Sequence, residues 1–286
     1  MQESDNMKPK RKKPPKNYFA NRVYNRINRK NRNALICFVG ETGVGKSYTA
    51  IRICKLVDHT FHTGRICFNN MDFLKLLKEG DEYGKLKKGM AVMYDEFGVS
   101  HSSRSWYEST NKLVNFILQT FRRQNLLVCF TVPDQSFVDV QARKLFHYMV
   151  ENIDIDYEGK KNICKVFQIK PNPSFNKEPY KIYFRKRRGL GKKQKLPRMK
   201  FALGDKDILR KYEGMKRKFS EELYAKSQKE FEAKEEHKKK KGHELDGIKP
   251  NSKCTKCGYE WHSIGKTVRR CPRCMTSKVI VAVEAK

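Results

Sequence analysis

The 286-residue chain has little hydrophobic sequence, 38%, and half as many acidic as basic residues, 31 Asp and Glu against 63 Lys and Arg. Its longest apolar runs, such as LLVCF at 126–130, fall far short of the ~20 residues of a membrane helix, so no membrane span is expected. The opening MQESDNMKPKRKKPPK puts basic residues ahead of no apolar segment, so no secretory leader is expected either. Internal repeats are absent. A disulfide framework is also missing, although there are nine cysteines. Cys37, Cys54, Cys67, Cys129 and Cys164 lie singly in apolar or amphipathic segments, where a thiol behaves as a small hydrophobe. The other four are paired. That usage favours a reducing, cytoplasmic compartment.

What is present in excess is positive charge, a formal net +32. Residues 1–33 carry 11 Lys or Arg against 2 Asp or Glu, and 34–184 carry 21 against 16. Residues 185–243 carry 22 against 9, and 244–286 carry 9 against 4. The middle is nearly balanced and the flanks hold most of the excess. Solubility needs less than this. The pattern predicts a globular core with appendages that bind a polyanion.

Four regions are expected. Residues 1–33 read as a basic N-terminal arm, with 17–33 able to add a short basic helix. Residues 34–185 alternate apolar strands with amphipathic helices: ALICFV (34–39), a helix from Ser47 to Val57, RICFN (65–69), a helix from Met71, MAVMYDEF (90–97) and NLLVCFTV (125–132). Leu113, Phe116, Ile117, Thr120 and Phe121 keep helical spacing before the last of these. KVFQIK (165–170) and YKIYFR (180–185) suggest a late hairpin. Such alternation points to an α/β domain with a mainly parallel sheet flanked by helices. Residues 186–246 are expected to be a basic linker and a long charged helix. Its stripe of Ile208, Tyr212, Met215, Phe219 and Leu223 fits packing on its own domain better than a coiled coil. Residues 247–286 form the fourth region.

Gly40-Glu41-Thr42-Gly43-Val44-Gly45-Lys46-Ser47 fits G-x-x-x-x-G-K-[ST] between a strand and a helix. In such a P-loop, glycines let successive N–H groups converge on phosphate oxygens at the positive end of the helix dipole. Lys46 can reach the β- and γ-phosphates and the Ser47 hydroxyl can ligate Mg²⁺, so the loop is expected to bind a nucleoside triphosphate, ATP. Asp95 ends an apolar strand some fifty residues on, placed to hold the Mg²⁺ water shell. Glu96 beside it is placed to orient the attacking water. The Asp-Glu pair favours hydrolysis over transfer to a small acceptor.

Residues 34–140 resemble the additional-strand P-loop ATPases, most nearly the FtsK–HerA superfamily of DNA translocases, with a secondary likeness to the zonula occludens toxin family of phage-assembly ATPases. They are also similar to small P-loop proteins of archaea and their mobile elements. The FtsK–HerA resemblance implies an arginine before the fourth strand that acts in trans on a neighbour's nucleotide, the place of Arg122 and Arg123, and so a homo-oligomer, possible as a ring. A solvated helix end is the competing reading of the two arginines. The family strand ends in Thr-Gln; here it ends Thr131-Val132-Pro133, with Gln135 past the proline. That departure bears on coupled hydrolysis, not on nucleotide binding.

Cys254-Thr-Lys-Cys257 and Cys271-Pro-Arg-Cys274 are separated by thirteen residues. Each C-x-x-C forms a knuckle that presents two thiolates, and two knuckles complete a tetrahedral Zn²⁺ site. Residues 247–286 therefore resemble a zinc ribbon, a segment too small to fold on its own core. Lys253, Lys256, Lys266, Arg269, Arg270 and Arg273 beside Tyr259 and Trp261 suit nucleic acid; protein docking is the competing use. The reading is an ATPase acting on nucleic acid, with DNA favoured, as a translocating or packaging motor. Its rivals are an assembly ATPase acting on protein partners and a slow nucleotide-dependent binding switch.

Overall fold

A computed structural model describes residues 14–97, 124–134, 136, 138, 143–170, 172, 174, 177–187, 193–246, 252–261, 270–276 and 280–282. The helix expected around Leu113–Phe121, together with Arg122 and Arg123, lies outside the described residues. The chain divides into two units, Met1–Phe219 and Ser220–Lys286.

The first unit is an α/β sheet of eight strands. In chain order these are β1 (Ala34–Val39), β2 (Ile66–Cys67), β3 (Ala91–Tyr94), β4 (Leu127–Thr131), β5 (Tyr148–Asp156), β6 (Lys161–Lys170), β7 (Tyr180–Tyr183) and β10 (Met199–Ala202). The spatial order is β10-β6-β5-β1-β4-β3-β2, with β7 also paired to β6. Strands β5, β1, β4, β3 and β2 run parallel, and β6, β7 and β10 add antiparallel. β8 (Arg185–Arg187) and β9 (Lys193–Lys195) pair apart from this sheet. The expected mainly parallel α/β sheet is observed. All six residues of β1 are buried, as a parallel strand covered on both faces requires.

Helices α1 (Tyr18–Asn28), α2 (Lys46–Val57) and the start of α4 (Lys206–Asp246) share one apolar cluster with the sheet, whereas α3 (Asn70–Glu79) supplies Phe73, Leu76 and Leu77 to the other. β4 lies between β1 and β3. Its insertion brings three strand ends to one edge: the loop after β1, Asp95 after β3, and Thr131 at the end of β4. In open α/β sheets ligands sit at this carboxyl edge.

One boundary moves. Residues 17–28 are not part of a basic arm. Asn17 caps α1 by accepting the Ala20 N–H at 3.0 Å, and Phe19, Ala20, Val23 and Ile27 are fully buried. The Phe19 ring packs edge-on to Tyr148 and Phe184, centroids 5.4 and 5.3 Å away. The basic side chains of α1 misled the sequence reading, because its apolar stripe is only one face wide. The start of α4 packs its stripe on this domain, as its spacing predicts. Leu209 and Tyr212 are buried, Ile208 and Met215 pack on the same cluster, and Phe219 stacks on Phe68 with centroids 5.0 Å apart. Strand β5 went unassigned because Asn152 and Asp154 interrupt its apolar pattern, and the register shifts there.

β3 is positioned by a buried charge cluster. Arg65, 1% exposed, donates from Nη1 to Asp58 Oδ2 at 2.8 Å and from Nε to Asp81. Asp58 Oδ2 also accepts the Ala91 N–H at 3.0 Å. The end of α2 is thereby tied to the first residue of β3.

The second unit carries the rest of α4 and a three-stranded antiparallel sheet, β12 (Glu260–Trp261), β11 (Ser252–Cys254) and β13 (Ile280–Ala282), with β11 central. Among the described residues no helix is long and apolar enough to cross a membrane.

If α1 belongs to the core, Phe19→Ala should lower unfolding free energy by about 3–5 kcal/mol. A change below about 0.5 kcal/mol in denaturant melts, typical of a surface site, would return the helix to the arm.

Candidate functional site

The loop between β1 and α2 turns through glycines at positions that tolerate little else. Gly45 has φ 76°, and a Cβ there would lie 2.8 Å from Asn162 Oδ1; at Gly40, φ 144°, it would lie 2.5 Å from the Asn152 carbonyl oxygen. Both neighbours come from the sheet, so the loop is pressed onto β5 and β6. Asn152 Nδ2 and Asn162 Nδ2 donate to Thr49 Oγ1 at 2.8 and 2.9 Å. Thr49 in turn donates to the Gly45 carbonyl at 3.0 Å, and Asn162 Nδ2 also reaches that carbonyl at 3.2 Å. These asparagines are the functional supports that the sequence reading missed. Their one signal was a polar side chain at an inward position of a strand.

Lys46 and Ser47 open α2. Lys46 Nζ donates to the carbonyls of Gly40 and Glu41, each at 2.7 Å, so its ammonium is folded across the loop that it terminates. Burial, and then the charge of Lys216, hold its pKa below the ordinary value. Ser47 Oγ donates to Asp95 Oδ1 at 2.8 Å. Asp95 is fully buried, and it accepts further bonds from Thr131 Oγ1 on Oδ1 and from the Tyr212 hydroxyl on Oδ2, the latter at 2.6 Å. Burial, followed by the Asp95 charge, drives the Tyr212 phenol far above its usual pKa, which keeps it a donor.

Glu96 has left-handed backbone, φ 52°, and its N–H donates to Thr131 Oγ1 at 2.9 Å. Its carboxylate meets Lys216 Nζ at 2.9 Å. A non-glycine residue in this conformation persists where its surroundings fix it, commonly at a working site. Asp95 turns into the protein and Glu96 toward the cavity.

That cavity has a volume of about 470 Å³ and is lined by Thr42, Gly43, Gly45, Lys46, Ser47, Tyr48, Glu96, Thr131, Val132, Pro133, Ile155, Tyr212, Glu213 and Lys216. Its size suits a small cofactor. Glycine-loop amides at a helix start, one lysine and a hydroxyl backed by a carboxylate form a donor set that fits a Mg²⁺-bound polyphosphate. Asp95 does not line the cavity; it reaches it only through Ser47. Arg122 and Arg123 lie outside the described residues. Tyr212, Glu213 and Lys216 of α4 were not expected at this site.

Cys254, Cys257, Cys271 and Cys274 bring their sulfurs within 4.8 Å of one another. Sγ atoms of Cys254 and Cys274 are 3.6 Å apart, as are those of Cys257 and Cys271. Four thiolates at ~2.3 Å from Zn²⁺ in a tetrahedron are about 3.8 Å from each other, so the set fits the ion. The residue after each pair, Gly258 (φ 71°) and Met275 (φ 56°), takes the left-handed conformation. Gly258 N–H donates to Cys254 O and Met275 N–H to Cys271 O, both at 2.8 Å. Two unrelated stretches thus form the same knuckle. Tyr259 and Trp261 stack beside it at 6.0 Å.

No protein-family model matches the chain, and no curated protein matches it in sequence. A solved structure, the N-terminal domain of zonular occludens toxin from Neisseria meningitidis, is similar at 18% identity, over 49% of this chain and 86% of that one, with a TM-score of 0.32. The fold assignment here rests on the chain's own topology.

One tightly held zinc per chain is expected by elemental analysis, lost in Cys254→Ser or Cys271→Ser with collapse of the β11–β13 sheet. Metal-free protein that retains this sheet by amide exchange would overturn the assignment.

Proposed function

We propose that the chain is a Mg²⁺-dependent ATPase that acts on nucleic acid, in its leading form a motor that translocates or packages DNA. One observation carries the enzymatic part: the glycine loop, Lys46 and Ser47 after β1 and Glu96 after β3 meet at one cavity, with Asp95 behind the Ser47 hydroxyl. Bound there, Mg²⁺–ATP would supply a polarised terminal phosphate. Loop amides and Lys46 would orient the phosphates, Ser47 would hold the metal, and Asp95 would fix the Ser47 hydroxyl. Glu96 is the carboxylate in reach to take a proton from water. Thr131, Val132, Pro133 and Tyr48 line the cavity beside them.

Support for the polyanion comes from charge. Residues 185–243 alone hold 22 basic against 9 acidic residues, and the zinc-ribbon segment sets cations beside a stacked aromatic pair. Assembly into a homo-oligomer, with Arg122 or Arg123 acting on a neighbour's nucleotide, belongs to this proposal, as does a cytoplasmic location. A slow nucleotide-dependent switch is the second reading. It is favoured by the strand end Thr131-Val132-Pro133, which has no glutamine, and by the ion pair that occupies Glu96.

Lys46→Ala should abolish most triphosphate affinity in calorimetry, because the phosphates lose their loop cation. Glu96→Gln should keep binding and stop turnover. Wild-type-like binding in the first variant, or turnover in the second, would remove the respective role. Addition of duplex DNA should stimulate ATP turnover. DNA affinity should fall about a thousandfold between low and moderately high salt, with a log–log slope near ~−0.9 per phosphate contacted. Turnover indifferent to nucleic acid would favour the switch or a protein-directed ATPase.

A further inference from the structure

Among the described residues that line the cavity, two side chains are cationic: Lys46 of the loop and Lys216 of α4. Lys216 is held in place from both sides along its helix. One turn before it, Tyr212 is buried, hydrogen-bonded to Asp95, and packed edge-on to Tyr48 at 6.3 Å. Three residues after it, Phe219 stacks on Phe68. Residues i and i+4 share a helix face, so the anchor that inserts Tyr212 also aims Lys216 at the cavity.

The partner of Lys216 is Glu96, at 2.9 Å, with the two side chains 34% and 28% exposed. An ion pair this open to solvent adds little to stability. Folding therefore gives weak reason to keep a lysine there, and exchange of its partner costs little. The consequence for Glu96 is larger. A carboxylate held by an ammonium accepts a proton from water poorly. Lys216 also faces Glu213, whose carboxylate accepts the Tyr48 hydroxyl at 2.8 Å, and Lys46 across the cavity. In this arrangement the carboxylate proposed as the base is occupied, and the second cation of the cavity is occupied by it.

We propose that Lys216 is a phosphate-sensing cation supplied by the chain's own α4, which exchanges Glu96 for the terminal phosphate of a nucleoside triphosphate. The terminal phosphate, with more charge than one carboxylate, draws the ammonium away, and the same movement frees Glu96. Diphosphate leaves the Lys216–Glu96 pair intact. The site would thus distinguish triphosphate from diphosphate without an arginine from another subunit. This inference rests on the nucleotide reading given above.

The test is calorimetric, on the full-length protein with Mg²⁺. Affinity is measured for a non-hydrolysable ATP analogue and for ADP, in the wild type, Lys216→Ala, Lys216→Gln and Lys216→Arg, with thermal melts to confirm folding. A lost charge-assisted contact to phosphate is worth about 1.5–3 kcal/mol, or a factor of roughly 10–100. Lys216→Ala and Lys216→Gln should therefore weaken the triphosphate analogue at least tenfold and ADP less than about twofold, and Lys216→Arg should restore most of the preference. An unchanged triphosphate-to-diphosphate ratio in both the alanine and the glutamine variant overturns the sensor while the wild type still binds nucleotide. Equal weakening of both ligands assigns Lys216 only a general electrostatic part and also overturns it. A wild type that binds neither nucleotide overturns the nucleotide reading itself.

Discussion

The buried carboxylate of Asp95 is the point on which the first unit depends. It follows β3, and its three hydroxyl donors come from α2 (Ser47), β4 (Thr131) and α4 (Tyr212). A carboxylate taken out of water costs several kcal/mol unless such partners replace its hydration. Each of the four elements is therefore held in register by the need to satisfy one group. The same contacts set the cavity, which Ser47, Thr131 and Tyr212 all line. Stability and site geometry are here one constraint. A hydroxyl lost from this set leaves a buried acceptor short of a partner, and the cavity loses its shape with it.

A second constraint comes from behind the loop. β5 and β6 are the strands at which the sheet changes from parallel to antiparallel, and each contributes an asparagine to the underside of the glycine turn. The turn cannot gain a Cβ at Gly40 or Gly45 without striking them. A glycine-rich segment would otherwise be the softest part of the fold, given the entropy that glycine loses on ordering. Backed by Asn152, Asn162 and Thr49, the turn is instead held in one conformation by side chains of the sheet and of α2.

Local patterns made much of this legible in the sequence. Continuous apolar runs marked β1, β3 and β4, the glycine spacing marked the loop, and two C-x-x-C pairs marked the sulfur cluster. These signals are short-range and each carries its own chemistry. The features that escaped depend on residues far apart in the chain. α1 looked like part of a basic arm because only one stripe of it is apolar, and that stripe has meaning only against Tyr148 and Phe184, over a hundred residues away. β5 was hidden because Asn152 serves the loop and not the core. Tyr212 was legible as a packing residue, but its hydroxyl on Asp95 was not, since nothing local connects a helix after residue 205 to a strand ending near 94.

The role of α4 follows from that long-range contact. A helix whose stripe only packed on the sheet would tolerate any apolar side chain at position 212 and any polar one at 216. Here position 212 must also donate a hydrogen bond to a buried carboxylate, and only a hydroxyl at the end of a long, rigid ring does so across this packing. Position 216, one turn on, is then committed to the cavity by helix geometry alone. The strongly basic segment after residue 185 is thus heterogeneous in environment. Within it, Lys216 is turned to the cavity, where it meets Glu96 and lies near Asp95. Its environment shows the difference: burial lowers its affinity for the proton, yet the hydrogen bond to Glu96 and the charges of Asp95 and Glu96 outweigh that and raise its pKa. Lys216 is thus a charged lysine at the wall of the cavity, on a helix that Leu209 and Tyr212 already hold to the core.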